Sequence, residues 1–327
     1  MRFKVVHRIE NDLPLVLLLD QQTGTEVSFI PSIGAQLHAF KMQTSGGAFN
    51  IIDHYNNLED LNNNNKRSHK SSKLSPFVCR IKDGKYHHDG REFEFINKFQ
   101  DGSAIHGLLF DSPFEVTKEA ATESFASVTM QYHYKQDDKG YPFDYNCLIK
   151  YQLRHDSLLW VETVVVNTGT QTLPIADGWH PYFTLEGKAD DWELYFAADQ
   201  MVEFNDKLIP TGNLLPNRHF TKPETIGDTF LDNCFLLNAF DSRPSCTLSN
   251  PGNGLQLLLF PEKHYPYLQI YTPPHRNSIA IENLSAAPDC FNNGIGLTLL
   301  EPGHSQTFLL GYQVLVSSLH HRPAYNT

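Results

Sequence analysis

Residues 158–167 read LLWVETVVVN and run into the turn sequence TGT at 168–170. Val and Thr dominate the run, and β-branched side chains suit a pleated surface. The Asn-Thr-Gly-Thr that closes it is a strand-ending signal. Upstream, 127–134 (SVTMQYHY) alternates Val128, Met130, Tyr132 and Tyr134 against Thr129, Gln131 and His133, the period of a half-buried strand. Similar runs lie at 26–30, 91–96, 145–153, 255–260, 268–271 and 306–316. The 19 prolines and 20 glycines mostly punctuate these runs, and no long segment carries a helical period. The expected architecture is all-β, a large antiparallel β-sandwich of many short strands. No linker-like change of composition divides the 327 residues, so 1–327 reads as a single domain. Residues 56–73, with an NNNN tract and a cluster of Lys, Ser and His, are expected to form a long exposed loop. A disordered excursion is favoured there over a lid.

Composition narrows the function. Hydrophobic residues at 40% and aromatics at 12% allow a substantial core. A net charge of −11 leaves no basic face to meet phosphates, which argues against nucleic acid and fits an anionic membrane surface poorly. The most apolar early run, LPLVLLL at 13–19, is broken by Pro14 and closed by Asp20. It is too short for a membrane span and carries no cleavage pattern. Cys79, Cys147, Cys234, Cys246 and Cys290 are odd in number and scattered, with no CxxC. Reduced thiols in a cytoplasmic protein are expected.

Five positions carry candidate chemistry. In 279–302, apolar Ile279 and Ile281 lead to Glu282, and a loop of small residues follows. A carboxylate at a strand end facing such a loop is where a β-protein mounts a reactive group, although position alone fits a solvated strand end. Arg80 sits in an apolar run before a DG turn, and its donor fork suits vicinal hydroxyls or a carboxylate. A structural ion pair accounts for it equally. His106 precedes Gly107, which admits a ligand or another backbone at close range. His180 lies among Trp179, Tyr182 and Phe183, whose rings could set its charge state and offer stacking faces to a sugar, or form a plain core cluster. Asp232, between apolar neighbours in FLDNCF, reads on its own as a turn-capping carboxylate.

Taken together and in order, these segments resemble the aldose 1-epimerases (galactose mutarotases) and their wider group. VSFIPSIGAQL at 27–37 is similar to the family's opening strand–turn–strand. CRIKDGKY resembles the arginine segment, AIHG and WHPYF the two histidine segments, FLDN the aspartate segment, and IENLSAAPDCFNNGIGLTLLEPG the stretch with the glutamate. Each motif is weak alone, and five in family order along the chain are specific. HGLL and GWHPYF depart from common members, which points to a divergent bacterial-type branch.

The resemblance implies the galactose mutarotase-like supersandwich and interconversion of the α- and β-anomers of a free aldohexose. Glu282, His180 and His106 become the catalytic residues, and Arg80 and Asp232 the substrate-binding ones. Opening the ring needs a base at the C1 hydroxyl and an acid at the ring oxygen. Glu282 and His180 suit those tasks, their ordinary pKa values of roughly 4.3 and 6.5 both being adjustable toward neutrality. No cofactor and no metal are expected; no His-x-His pair marks a cupin-like metal site, and the adjacent His87 and His88 read as a turn. The implied partner is a small sugar, with the protein a monomer or homodimer. Two alternatives stand beside this. A sugar-phosphate 1-epimerase would call on basic residues such as Arg276 or Lys82. A carbohydrate-binding protein on the same fold would have no use for an acid–base pair.

Overall fold

The alternation in 158–167 becomes the strand Leu158–Asn167, whose side chains are partly exposed and buried by turns along its whole length. The computed structural model describes residues 1–316 except Ala239 and Ser242. Leu158–Asn167 pairs with Asp144–Arg154 on one side and Ser305–Val316 on the other, inside a nine-stranded antiparallel sheet. That sheet continues through Leu255–Pro261 and Cys246–Asn250, and its other end carries Phe125–Lys135 and Glu115–Ala121. Every strand run read from the sequence is a strand here, within a few residues at its ends.

An eight-stranded sheet faces the first. Its middle is Ile279–Leu284, flanked by Tyr267–Tyr271 on one edge and by Gly178–His180 and Tyr182–Phe183 on the other. All six residues of Ile279–Leu284 are buried, as a strand covered on both faces requires. Side chains of the two sheets interlock. Phe183 meets Tyr312 edge-on at 5.5 Å between ring centroids, and Phe196 packs on Phe235 at 4.4 Å. A five-stranded meander, Phe3–Glu10 to Gly47–Asn50, joins the same core through Phe29, stacked on Tyr151 at 3.9 Å. The apolar run at 13–19 is the strand Leu13–Asp20 within that meander, and all five cysteines are buried and unpaired.

Two local expectations fail. Residues 56–73 are not an exposed excursion: Leu58–Ser68 is a helix, and Ser71, Ser72 and Lys73 behind it are buried. The Asn57 side chain caps the helix by accepting the Asp60 N–H at 2.8 Å. Glu59 and Asp60 in the first turn and Lys66 and Arg67 in the last suit the helix dipole. Asparagine is a poor helix former, and the compensation is tertiary. Leu61 is buried, and buried Asn65 accepts Gln36 Nε2 at 2.9 Å. The second miss is His87–His88, which lies in the strand Lys85–His88; the turn is Asp89–Gly90, both at positive φ.

Beneath the second sheet lies a fully buried ion pair. Lys73 Nζ stands 2.5 Å from Asp177 Oδ1 and 4.4 Å above the Trp179 ring. Tyr265 donates its hydroxyl to the same carboxylate oxygen at 2.6 Å. Burial holds the Asp177 carboxyl above its ordinary value even so, although Lys73 opposes the shift.

Candidate active site

Strand register brings His180 to Glu282. Gly178 pairs with Leu284 and Tyr182 with Ala280, so His180, midway between, falls opposite Glu282. Facing residues of an antiparallel pair point to the same side of a sheet. His180 Nε2 accordingly lies 3.3 Å from Glu282 Oε1. On the other flank Glu282 pairs with Gln269, whose Nε2 donates to Asp232 Oδ1 at 2.8 Å. Asp232 is no turn cap: it opens the strand Asp232–Leu236.

A short ribbon brings the other two groups over this row. Arg80 pairs with Ile105, and His106 N–H donates to the Cys79 carbonyl at 2.7 Å. Gly107 is required here. Its φ is +76°, and a Cβ would sit 2.5 Å from the Ser75 carbonyl oxygen. The close approach expected at Gly107 is thus to another backbone. Cys79 and His106 themselves adopt positive φ, an uncommon state for such residues that recurs at functional sites. Arg80 Nη1 contacts Asp101 Oδ2 at 2.6 Å, the ion pair that the sequence allowed, and Arg80 also lines the cavity.

All five expected residues therefore border one cavity of about 260 Å³. Sequence reasoning missed several others on its wall: Gln269, Tyr271, Phe99, and Arg67, Ser68 and His69 from the helix end. Gln269 sits in an ordinary-looking strand, and only the pairing register reveals it. Arg276 does not line the cavity; it is held by Asp190 and the Gly227 and Thr229 carbonyls. Lys82 does not line it either.

Burial sets the electrostatics. Glu282 is 2% exposed, and burial, then the Asp232 charge, holds its carboxyl well above the usual range. Burial pulls His180 down to about 3 and His106 well below the ordinary imidazole value. Asp232 is raised by burial, with Arg80 and Gln269 opposing. His106 Nδ1, His180 Nδ1, Gln269 Oε1 and Glu282 Oε2 have no hydrogen-bond partner within the protein. Buried polar atoms seldom stay unpaired, so the wall suits a ligand rich in hydroxyls. The ring of Tyr182 stacks on His180 at 5.0 Å and extends the apolar face of the wall. Histidines without metal-ligand spacing in sequence also converge here. One ligand atom each from His106, His180 and Glu282 lie within 4.8 Å of one another, a set that could hold a divalent ion.

No helix among the described residues is long and apolar enough to cross a membrane. The chain is 29% identical to the protein YihR of Escherichia coli over 243 residues, 72% of this chain and 76% of that one. It is 22% identical to the aldose 1-epimerase of Streptococcus thermophilus, covering 96% of this chain and 98% of that one. A galactose mutarotase-like protein from Clostridium acetobutylicum has the same fold. That structure covers 97% of this chain and 99% of its own at a TM-score of 0.86 and 18% identity. The profile of the family described as aldose 1-epimerase matches residues 16–313, and the chain belongs to that family.

Proposed function

We propose that the protein is an aldose 1-epimerase in which Glu282 is the base, His180 the acid, and His106, Arg80 and Asp232 hold the sugar. The observation that carries this is the 3.3 Å approach of His180 to Glu282 inside a cavity that Arg80, His106 and Asp232 also line. Ionised Glu282 takes the C1 hydroxyl proton. The C1 oxygen forms a carbonyl, the bond from C1 to the ring oxygen breaks, and His180 protonates that oxygen. Rotation about C1–C2 and the reverse transfers close the ring on the other face. Arg80 and Asp232 keep the open chain in register, so that closure is intramolecular in effect. His106 supports the ring-oxygen side as charge moves there. The whole of 1–327 works as one catalytic domain, as a monomer or homodimer, in the cytoplasm; the five unpaired thiols support that compartment.

The test is polarimetry of freshly dissolved α-sugars, glucose and galactose beside their 6-phosphates, at low ionic strength with a chelator present. Accelerated mutarotation of a neutral hexose is the expected result. A strong preference for the phosphates moves the protein to the sugar-phosphate branch, with Arg67 at the cavity rim as the first basic residue to test. Activity lost on chelation assigns a metal to His106, His180 and Glu282.

A pH profile tests the coupled pair. The working form, carboxylate with imidazolium, carries the same number of protons as the neutral pair, so its fraction is constant while the pair holds one proton. Activity falls only when a second proton is added or the single one is lost. Burial pulls His180 down to about 3 and lifts Glu282, which pushes the two limbs apart. The enzymatic part of kcat/KM is expected to stay flat from about pH 5 through neutrality; an acid limb centred near an ordinary imidazole value of roughly 6.5 would contradict this assignment.

A further inference from the structure

We propose that His69 is a third histidine of the sugar site, holding a hydroxyl on a carbon remote from C1. The inference rests on the mutarotase reading above and adds a residue to it. His69 ends the Leu58–Ser68 helix in the left-handed conformation, φ 48° and ψ 31°. Its own N–H closes the helix on the Asn65 carbonyl at 3.0 Å, and its carbonyl accepts the Ser72 N–H at 3.1 Å. Two residues on from His69, Ser71 N–H donates to the His180 carbonyl at 2.9 Å, which ties this segment to the catalytic strand. The backbone around His69 is thus fixed on both sides, and the side chain is delivered to the cavity wall.

The ring itself is 95% removed from solvent, since His69 is 5% exposed, yet neither nitrogen completes a hydrogen bond within the protein. The Lys66 carbonyl approaches it and offsets part of a burial effect that pulls the imidazole down to about 4, but without hydrogen-bond geometry. At neutral pH the ring is uncharged and offers one donor and one acceptor. Leaving both unused in a buried place is costly, and a sugar hydroxyl, itself donor and acceptor, satisfies either. Position assigns the contact. The His106 ring stands 4.8 Å from that of His180 and 4.7 Å from that of His69, and His106, not His69, falls in the close set with His180 and Glu282, so His69 meets the cavity farther from the acid–base pair than His106 does. The Phe110 ring packs against it in a T-shaped contact, 5.0 Å between centroids.

Two variants separate a ligand from a packing role. His69→Phe keeps the aromatic contacts with His106 and Phe110 and removes both hydrogen-bonding nitrogens. His69→Asn tolerates the left-handed backbone and keeps a donor and an acceptor. In folded His69→Phe, the half-saturating concentration of the preferred sugar is expected to rise about tenfold, the scale of one neutral hydrogen bond, with a smaller loss in saturated turnover. His69→Asn should recover part of that affinity. The deciding measurement is a panel of deoxy-sugars. Removing the hydroxyl that His69 holds should weaken binding to the parent and leave His69→Phe unaffected. A uniform loss for every sugar, or parent-like half-saturation across the panel, overturns the assignment. If the parent neither binds nor converts any sugar of the panel, the mutarotase reading falls with it; if the parent works and only the deoxy pattern is absent, His69 alone is reassigned.

Discussion

Glu282→Gln is expected to lower mutarotation at least about a hundredfold, the usual scale of a lost general base, and at the same time to stabilise the fold. The two effects have one cause. Glu282 sits in a strand buried on both faces and its carboxyl is held well above the usual range, so the folded protein keeps a proton that the unfolded chain gives up. For a carboxyl raised on folding, stability is fully present below the unfolded value and is lost as pH rises toward the folded one. The buried histidines have the opposite sign, and they bind protons in the unfolded chain only below about pH 6.5. They are common to the parent and to Glu282→Gln, so the difference between the two isolates the carboxyl. Denaturant titrations should therefore show the parent losing stability relative to Glu282→Gln as pH rises above the ordinary carboxyl value of roughly 4.3, at up to about 1.4 kcal/mol per pH unit, until the folded value is passed. His180→Asn should lose a comparable factor in rate. A folded Glu282→Gln variant with the parent's rate would end the acid–base assignment; stability curves that run parallel across pH would show that the carboxyl is ionised when folded.

Lys73→Met is expected to cost about 3–5 kcal/mol of stability, because it strands the Asp177 carboxylate in a dry interior. Both partners are fully buried and 2.5 Å apart. The carboxylate already sits above its ordinary value with Lys73 present, so removing the ammonium leaves Tyr265 as its side-chain donor. Lys73 also faces Trp179, next to His180, across the ladder between Ser72–Leu74 and Gly178–His180. Equilibrium unfolding gives the number, and a partner swap tests its cause. Lys73→Met combined with Asp177→Asn should recover a good part of the loss, since the uncompensated charge is gone. No recovery in the double variant would mean that the loss comes from packing of the lysine stem on Trp179, and not from charge.

The strands were legible because burial alternates with period two. Val161 and Val165 are core while Trp160 and Glu162 are only partly covered, and sequence shows that directly. Glu282 and His180 were legible through the motifs around them. What brings them together was not: it depends on a register between residues about a hundred positions apart, which local patterning does not encode. The ribbon carrying Arg80 and His106 was hidden for the same reason. The Leu58–Ser68 helix was illegible for a different one. Its asparagines disfavour a helix locally, and the stabilising contacts, Gln36 on Asn65 and the buried Leu61, come from elsewhere in the chain. His69 was lost with it, since a histidine in a polar, low-complexity tract gives no sign that its ring will be enclosed.

The strand Ser305–Val316 lies in the interior of the nine-stranded sheet, between Leu158–Asn167 and Leu255–Pro261. Neither neighbour can complete its ladder until that segment has been synthesised, so the order of assembly cannot follow the order of translation. Pairings across such separations carry a high contact order, and folding dominated by them is slow. The half-sheet ending at Leu158–Asn167 waits as an open edge with an apolar face, and unpaired edges of that kind recruit other chains. In the finished molecule Ser305–Val316 buries Phe308, Leu310, Tyr312 and Val314 in the core. The pairing of Leu158–Asn167 with Ser305–Val316 is therefore the step at which the growing chain is most open to a wrong partner.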